Sequence, residues 1–422
     1  MSAIISKKYH WSGETVGSAL ARHKGEGPGF LLLRYALAIV IFLIHAKALS
    51  HVIGATVPTP ASDLLQDGPG WDGPMRPIYV ALVPAFFALS GFLVAGSAFR
   101  LRSTTTFLSF RALRIFPALS VEVTLSALVL GPLLTTLPLS KYFTDPQFFR
   151  YFGNIVGWIT FYLPGVFQQN DPPIVNINLW TLPSEFDCYV ITAALMSLGL
   201  IYKKPLITAS VIAATIVFAI LNTFGDFGVT PWHLAGHTVT YYFFVGLVFF
   251  LWKDRIPLRW DLFALCAVAS YVLLYSRHTI YLAPPFVVYS TVFLGVVGLP
   301  EFKWLRGRDY SYGIYLYGYP IIQAILCVAP QLRGHAIAAG AISLTTTVLF
   351  AALSWTFIEK PALQLKKHVP RIRASRLWTL GWPQTTSRSP LPRGAVGEEG
   401  QKLMSLMPNA FFGEALLPAP HH

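Results

Sequence analysis

The stretch FLLLRYALAIVIFLIHAKAL, residues 30–49, decides the fold that the sequence predicts. It is long and apolar enough to cross a lipid bilayer, which takes about 20 such residues. Two ionisable side chains, Arg34 and His45, lie inside it. Such groups are expensive within a membrane, and by default they indicate a functional site. The sequence therefore predicts a membrane helix that takes part in chemistry as well as in packing.

The spacing of Arg34 and His45 places both side chains on one face of this helix. They are eleven residues apart, and at ~100° per residue the eleventh returns to within ~20° of the first. The two side chains are then separated by ~16 Å along the helix axis. This helix is expected to hold a permanent cation near one membrane surface and a titratable base deep inside.

The composition indicates a membrane protein throughout. Of the 422 residues, 54 % are hydrophobic and only 12 % are charged, whereas soluble domains carry about 25 % charged residues. The excess of Lys and Arg over Asp and Glu, a net charge of +13, is explained by basic cytoplasmic loops and favours no nucleic-acid partner. The three cysteines are scattered through apolar segments, so we predict neither a disulfide framework nor a metal site.

Charge alternates between successive connections, which predicts the topology. The most basic connection carries Arg100, Arg102, Arg111 and Arg114 and is placed inside, where Lys and Arg are enriched. An all-α protein with about ten transmembrane helices and both termini in the cytoplasm fits the bias at every connection. After the first span, further spans are expected at about 77–98, 115–137, 178–200, 205–222, 232–252, 259–275, 280–299, 310–329 and 335–357.

Three regions follow from this pattern. Residues 1–29 form a polar cytoplasmic segment, 30–365 the transmembrane domain, and 366–422 a polar tail that is expected to be disordered. The long outer connection includes YFGNIVGWITFYL, residues 151–163, whose amphipathic pattern suggests a half-helix that lines a cavity. The first apolar run is too long for a signal peptide and is expected to be retained.

The motif RALRIFP, residues 111–117, is a candidate phosphate site. Pro117 suits the opening turn of a helix, and the free N–H groups of a helix start attract phosphate. Arg111 and Arg114 would add planar, bidentate donors. With Arg34 on the same side of the membrane, three guanidinium groups can converge on one polyphosphate. The alternative is simple anchoring of these arginines to anionic lipid headgroups.

A second motif, PAFFALSGF at residues 84–92, contains Ser90 and Gly91. A Ser–Gly pair lets a neighbouring helix approach closely, so helix packing is the favoured interpretation. A role for Ser90 as a nucleophile is disfavoured, because no histidine or acid lies near it in sequence to activate it.

A third motif, NINLWTLPSE at residues 176–185, predicts a membrane entry broken by Pro183. It presents Glu185 just below the outer surface. This carboxylate can orient or share a proton with an imidazole, or bind a sugar hydroxyl. A hydrogen bond to the backbone that Pro183 leaves free is an equally good interpretation.

Taken in order, these pieces resemble the acyltransferase 3 family of integral-membrane acyltransferases, which O-acylate extracytoplasmic glycans. The likeness is closest to the branch that acetylates exopolysaccharides and nodulation factors, and it covers roughly residues 30–365. After Asn176, related sequences tend to have Gly-Ser, where this chain has Ile177-Asn178. The matching features are Arg34 with His45, FFALSGFL at 86–93, RALRIFP at 111–117, LWTLPSE at 179–185, SYGIYLYGYPI at 311–321 and SWTFIEKPAL at 354–363.

The resemblance implies a cytoplasmic acyl-CoA donor, usually acetyl-CoA, used as a co-substrate with no bound cofactor. It implies His45 as the essential catalytic residue, and it implies that Arg34, Arg111 and Arg114 serve the donor. From the motifs themselves we add Glu185 as a catalytic candidate and Ser90 as a candidate at the donor. Trp180, Asn176 and Tyr315 are the candidates for acceptor binding. The acceptor is expected to be a glycan or a lipid-linked sugar, and the location a bacterial inner membrane among its lipids.

Two other functions remain open at this point. A transporter or flippase for a glycan or a lipid-linked intermediate would explain ten spans and buried charges, but not the order of the motifs. A catalytically dead relative that acts as a scaffold is disfavoured by the intact pair of Arg34 and His45.

Overall fold

A computed structural model describes residues 13–23, 25, 27–50, 73–225, 227–228, 234–297 and 307–369. Within these ranges the protein consists of helices, turns and irregular segments, with no β-strand. Ten of the described helices have 13 residues or more: α1 Phe30–Ser50, α2 Arg76–Leu101, α3 Thr104–Leu125, α4 Leu182–Ser197, α5 Lys204–Thr223, α6 Gly236–Leu251, α7 Trp260–Tyr275, α8 Pro284–Val296, α9 Ser311–Val328 and α10 Ala336–Ser354.

The prediction of an all-α membrane protein is confirmed by the length and composition of these helices. Among the described residues, six helical stretches are long and apolar enough to cross a membrane: Phe30–Ser50, Arg76–Leu101, Thr104–Leu134, Lys204–Thr223, Ser311–Val328 and Ala336–His368. Helices α6, α7 and α8 are apolar but shorter. The count of ten spans and the side on which the termini lie stay predictions. The N-terminal segment is described from residue 13, and residues 370–422 of the predicted tail lie outside the described part.

Helices α1 and α9 run in the same direction side by side. Near the start of both, the Arg34 guanidinium lies 3.1 Å from the carboxylate of Asp309. Near their other end, the ring of His45 meets the ring of Tyr319 edge-on, with centroids 5.3 Å apart. Since Arg34 and His45 both meet the same neighbouring segment, the prediction that they share one helix face is confirmed.

Helices α2 and α6 cross at very close range, and two glycines permit it. A Cβ atom built on Gly91 would lie 1.9 Å from the carbonyl oxygen of Phe243. One built on Gly246 would lie 2.2 Å from the carbonyl oxygen of Ala88. No real side chain fits at such distances, so the packing interpretation of the Ser90-Gly91 pair is confirmed for Gly91.

Helix α3 begins earlier than the sequence predicts. The side chain of Ser103 accepts a hydrogen bond of 3.4 Å from the backbone N–H of Thr106, and this cap starts the helix at Thr104. Pro117 lies inside the helix rather than in its opening turn. Arg111 and Arg114 therefore project from about two turns within α3. The expectation that they stand beside the free N–H groups of a helix start is wrong.

The connection between α3 and α4 folds back on itself. It contains the short helices Leu139–Thr144 and Pro146–Tyr151 and a 3₁₀ turn, Phe152–Val156. The expected half-helix over residues 151–163 is limited to this turn, because Gly157 has a φ of +86°. The side chain of Asn154 then bonds to both backbone groups of Thr160 at 2.8 and 2.9 Å, which holds the segment in a non-helical conformation.

Candidate active site

One carboxylate joins the arginines of two distant motifs. Asp309, two residues before α9, lies 2.7 Å from the Arg114 guanidinium and 3.1 Å from that of Arg34. Ser311 donates a hydrogen bond of 2.5 Å to its other oxygen. Burial raises the pKa of Asp309, but Arg114 and Arg34 more than offset this and hold that pKa below its usual value. The carboxylate is therefore ionised and bridges α1, α3 and α9.

Arg111 lies in the same region but has different partners. Its guanidinium donates a hydrogen bond of 3.3 Å to the Ser97 hydroxyl and lies 5.8 Å from the ring centroids of Phe107 and of Tyr189. The Nε atoms of Arg111 and Arg34 are buried and make no hydrogen bond within the described residues. Buried donors of this kind are costly, so both side chains can gain from an anion that enters between them.

These arginines lie at a cavity of about 190 Å³ in the helical bundle. Its walls include apolar side chains of α2 and α9, among them Phe86, Leu93 and Leu316. The predicted site residues that line it are Arg34, Ser90, Arg111, Arg114, Glu185 and Tyr315. Six residues from five separate motifs are thus brought together, and four of them are the residues predicted to bind the donor.

Glu185 lies in the first turn of α4, where the sequence predicts it, and faces this cavity. Its carboxylate accepts a hydrogen bond of 2.6 Å from the Tyr189 hydroxyl one turn further along the same helix. Tyr189 is thus the hydrogen-bond partner of Glu185, instead of the two partners that the sequence suggested, an imidazole and the backbone that Pro183 leaves free. Glu185 also lies close enough to Arg111 and Arg114 to interact with them electrostatically.

Three polar residues line the end of the cavity opposite the arginines. The hydroxyls of Thr181 and Tyr315 are 3.1 Å apart, and the Tyr315 hydroxyl donates to the Asn178 carbonyl at 3.2 Å. The side-chain amide of Asn178 donates in turn to the Tyr315 carbonyl at 2.7 Å. Tyr315 is thus tied to the 3₁₀ turn that precedes α4, and its ring forms part of the cavity wall.

His45 lies just beyond this end. Its ring packs on Tyr319, one helical turn past Tyr315, and its side chain also interacts with that of Asn178. His45 is absent from the cavity lining, whereas Asn178 is present in it. The imidazole therefore meets the wall of the arginine cavity at Asn178.

Asn176 and Trp180, predicted to contact the acceptor, lie outside the cavity lining. The Asn176 amide donates to the Glu122 carboxylate at 3.0 Å and to the Leu316 carbonyl at 2.9 Å, and its oxygen accepts from the backbone N–H of Asn178 at 3.1 Å. Trp180 packs against the hydrophobic core. In this structure Asn176 fixes the turn that carries Asn178.

Two functional candidates escaped the sequence reasoning. Asp309 is a single acidic residue between the basic residues of 303–308 and the tyrosine-rich start of α9. This isolated acid next to several cations is the sequence signal that could have identified it. Glu359, inside the motif at 354–363, is the buried last residue of the π-helical turn Trp355–Glu359. Its carboxylate accepts a hydrogen bond of 3.2 Å from the hydroxyl of Ser354, the residue before this turn. Its location near Arg114 depends on tertiary packing.

All the predicted site residues lie between positions 34 and 315, within the part of the chain that matches known proteins. A family model for an acyltransferase domain matches residues 29–358, most of the chain. The chain belongs to the acyltransferase 3 family. The resemblance drawn from the six motifs is therefore confirmed, and the chain is an acyltransferase by family.

Two curated relatives of this acyltransferase carry informative names. Nodulation protein 10 of Rhizobium leguminosarum bv. viciae is 28 % identical over 386 residues, which cover 85 % of this chain and 100 % of the relative. The O-acetyl transferase of Shigella phage Sf6 is 26 % identical over 296 residues, which cover 65 % of this chain and 82 % of the relative. No solved structure gives a significant match.

Proposed function

We propose that this protein is a membrane-embedded O-acyltransferase that transfers an acyl group, most simply acetyl, from cytoplasmic acyl-CoA to a hydroxyl of an extracytoplasmic or lipid-linked glycan. The observation that carries the proposal is the cavity itself. Three arginines lie at one of its ends, and polar residues that include Asn178, which interacts with His45, line the other. An anionic donor fits the first end, and an acid–base reaction fits the second.

The charge of the arginine end favours a donor that carries several phosphates. Arg34 and Arg114 share the single carboxylate of Asp309, while Arg111 has no carboxylate within 4.0 Å in the described part of the chain. Guanidinium groups bind phosphate through parallel, charge-assisted hydrogen bonds. Coenzyme A offers such phosphates at one end and a thioester at the other. Its pantetheine arm would follow the apolar walls of the cavity towards His45.

The chemistry proposed for His45 needs no metal ion or cofactor. A neutral ring nitrogen takes the proton from the acceptor hydroxyl while that oxygen attacks the carbonyl carbon of the thioester. The carbon–sulfur bond then breaks, and the leaving thiolate receives the proton from the imidazolium. An imidazole suits both steps because its unperturbed pKa of ~6.5 lies near working pH. Attack by the ring nitrogen itself, through an acyl-histidine, is the other route open to the same residue.

The path of the thioester to His45 passes the polar end of the cavity. Asn178 lines the cavity and interacts with His45, and Thr181 and Tyr315 beside it are hydrogen-bonded to each other. The arriving thioester is expected to displace them. The acceptor hydroxyl then comes from the opposite side, near Trp180 and the turn that Asn176 holds, so that these residues with Tyr315 form the acceptor region.

The proposed topology is ten spans with both termini in the cytoplasm, within a bacterial inner membrane. The parallel course of α1 and α9 supports it, because seven long helices lie between them in the chain. If each of the seven crosses the bilayer, α9 must run in the same direction as α1. The basic connection after α2 and the arginine end of the cavity then lie on the cytoplasmic side.

The decisive experiment measures release of free thiol from membranes that contain the protein. With acetyl-CoA and an acceptor glycan, we expect CoA to be released at a rate that depends on both substrates. Membranes without the protein are the control. Uptake of a glycan that proceeds without any acyl donor, together with no thiol release, would favour the transporter and contradict the proposal.

Arg111→Ala tests the donor site with little risk to the fold, because no carboxylate is left unpaired by the change. We expect the KM for acetyl-CoA to rise by ~10-fold or more, since a hydrogen bond to a charged group contributes about 1.5–3 kcal/mol, and kcat to stay close to that of the wild type. The thiol-release rate, measured as a function of donor concentration, separates the two constants.

Arg150→Ala is the matched control for this prediction. It removes the same charged group from an exposed position in the connection between α3 and α4. An unchanged KM in Arg111→Ala, or a loss of rate that saturating acetyl-CoA leaves uncorrected, would exclude Arg111 from the donor site.

A further inference from the structure

A fourth cation lies next to the arginines, on the segment that follows α10. After the π-helical turn Trp355–Glu359, the chain continues through a helical turn, Lys360–Gln364, and a 3₁₀ turn, Leu365–His368, which contact α3. Lys366 in this last turn is partly buried, whereas Lys367 beside it is exposed. The Lys366 ammonium group lies 5.2 Å from the centre of the Phe110 ring, which holds it against α3.

The position of Lys366 brings like charges together. It lies close enough to Arg111 and Arg114 to interact electrostatically with both. Of the four cations Arg34, Arg111, Arg114 and Lys366, only Arg34 and Arg114 have a carboxylate within 4.0 Å among the described residues. Both of them pair with Asp309. Positive charges held side by side in a partly buried region repel each other. An anion with more than one charged group would relieve this repulsion.

The cations are also ordered along the direction that the donor must take. Phe110, which positions Lys366, precedes Arg111 directly and Arg114 by about one turn, or ~6 Å along α3. Arg114 and Arg34 come next, at the cavity, and His45 lies ~16 Å beyond Arg34 along α1. Lys366 is therefore at the end of the series that is furthest from His45.

Coenzyme A carries its phosphates in a matching order. The diphosphate lies nearer the thioester, and the phosphate on the 3′ oxygen of the ribose lies at the nucleotide end. This step depends on the proposed function. We infer that Lys366, held by Phe110 beside Arg111 and Arg114, binds the 3′-phosphate of the acyl-CoA donor, while the arginines bind the diphosphate. Lys366 would then make the protein discriminate between coenzyme A and thiols that lack this phosphate.

The test compares the binding of CoA and 3′-dephospho-CoA to the purified full-length protein in detergent, by calorimetry, so that no acceptor is needed. We expect the wild type to bind CoA more tightly than the dephospho compound. Lys366→Gln is expected to weaken CoA binding by about tenfold, or ~1.4 kcal/mol, and to leave the binding of 3′-dephospho-CoA unchanged. Lys366→Arg, which keeps the charge, should keep the discrimination.

Lys367→Gln is the control, because it removes the same charge from the neighbouring exposed position. The inference is overturned if Lys366→Gln weakens both ligands equally, if it weakens neither, or if Lys367→Gln has the same effect on CoA. Each of those results still leaves the wild-type protein with a CoA site. A wild-type protein that binds neither ligand would instead overturn the proposed donor, and this subsite with it.

Discussion

His45→Ala is expected to abolish acyl transfer while the protein still inserts into the membrane. A positioned general base contributes ~10²–10⁴-fold to a rate, and alanine can neither take up nor return a proton. The loss should appear in kcat, with donor binding kept, because His45 lies beyond the cavity end and the arginines are untouched. The measurement is thiol release from membranes, with the amount of inserted protein determined in the same preparation.

A second histidine provides the control for this prediction. His278 is exposed, in the 3₁₀ turn between α7 and α8, and His278→Ala should leave the rate unchanged. The mass of surface glycans from cells that express each variant gives an independent readout of product. Normal acylation by the His45→Ala variant would end the assignment of the base, whichever of the two chemical routes is followed.

The arrangement of Arg34 and His45 could be predicted because it depends on local geometry alone. Eleven residues make three helical turns, so the two side chains share a face wherever the helix packs. The structure confirms this through their contacts with Asp309 and Tyr319 at the two ends of one segment. The helices themselves were predictable for a similar reason, since long apolar runs in lipid can satisfy their backbone groups only as helices.

The partners of these residues could not be predicted, because they come from distant parts of the sequence. Asp309 is 195 positions from Arg114, and Glu122 is 54 positions from Asn176. No periodicity or spacing encodes such contacts. The start of α3 was missed for a different reason. Pro117 is a strong signal for an opening turn, but the Ser103 cap lies earlier, and the surrounding packing keeps the proline inside the helix.

The contact of His45 with the polar end of the cavity is the feature least visible in the sequence. It depends on the side chains of Asn178, Thr181 and Tyr315, which meet only after α9 packs against the turn before α4. The same packing lets Asp309 contact Arg34 and Arg114 at once.

Asp309→Ala is therefore expected to destabilise the fold more than any other change at the arginine end. The substitution leaves Arg34 and Arg114 partly buried next to each other without their shared counter-charge. Breaking a buried ion pair in this way costs about 3 kcal/mol or more. Thermal unfolding of the purified protein in detergent measures the effect. In the double variant Asp309→Ala/Arg114→Ala the loss should be smaller than the sum of the two single losses, because the residues interact directly.

Asp261→Ala provides the control, because it breaks an ion pair with Arg259 in which both side chains are about half exposed, and such surface pairs contribute little.

Binding of coenzyme A connects this effect on stability with the proposed function. If its phosphates occupy the space between the arginines, adding CoA should raise the melting temperature of Asp309→Ala more than that of the wild type, since the ligand supplies the missing negative charge. An Asp309→Ala protein that unfolds like the wild type would show that the two arginines need no counter-charge, and the case for a phosphate at this end would lose its electrostatic basis.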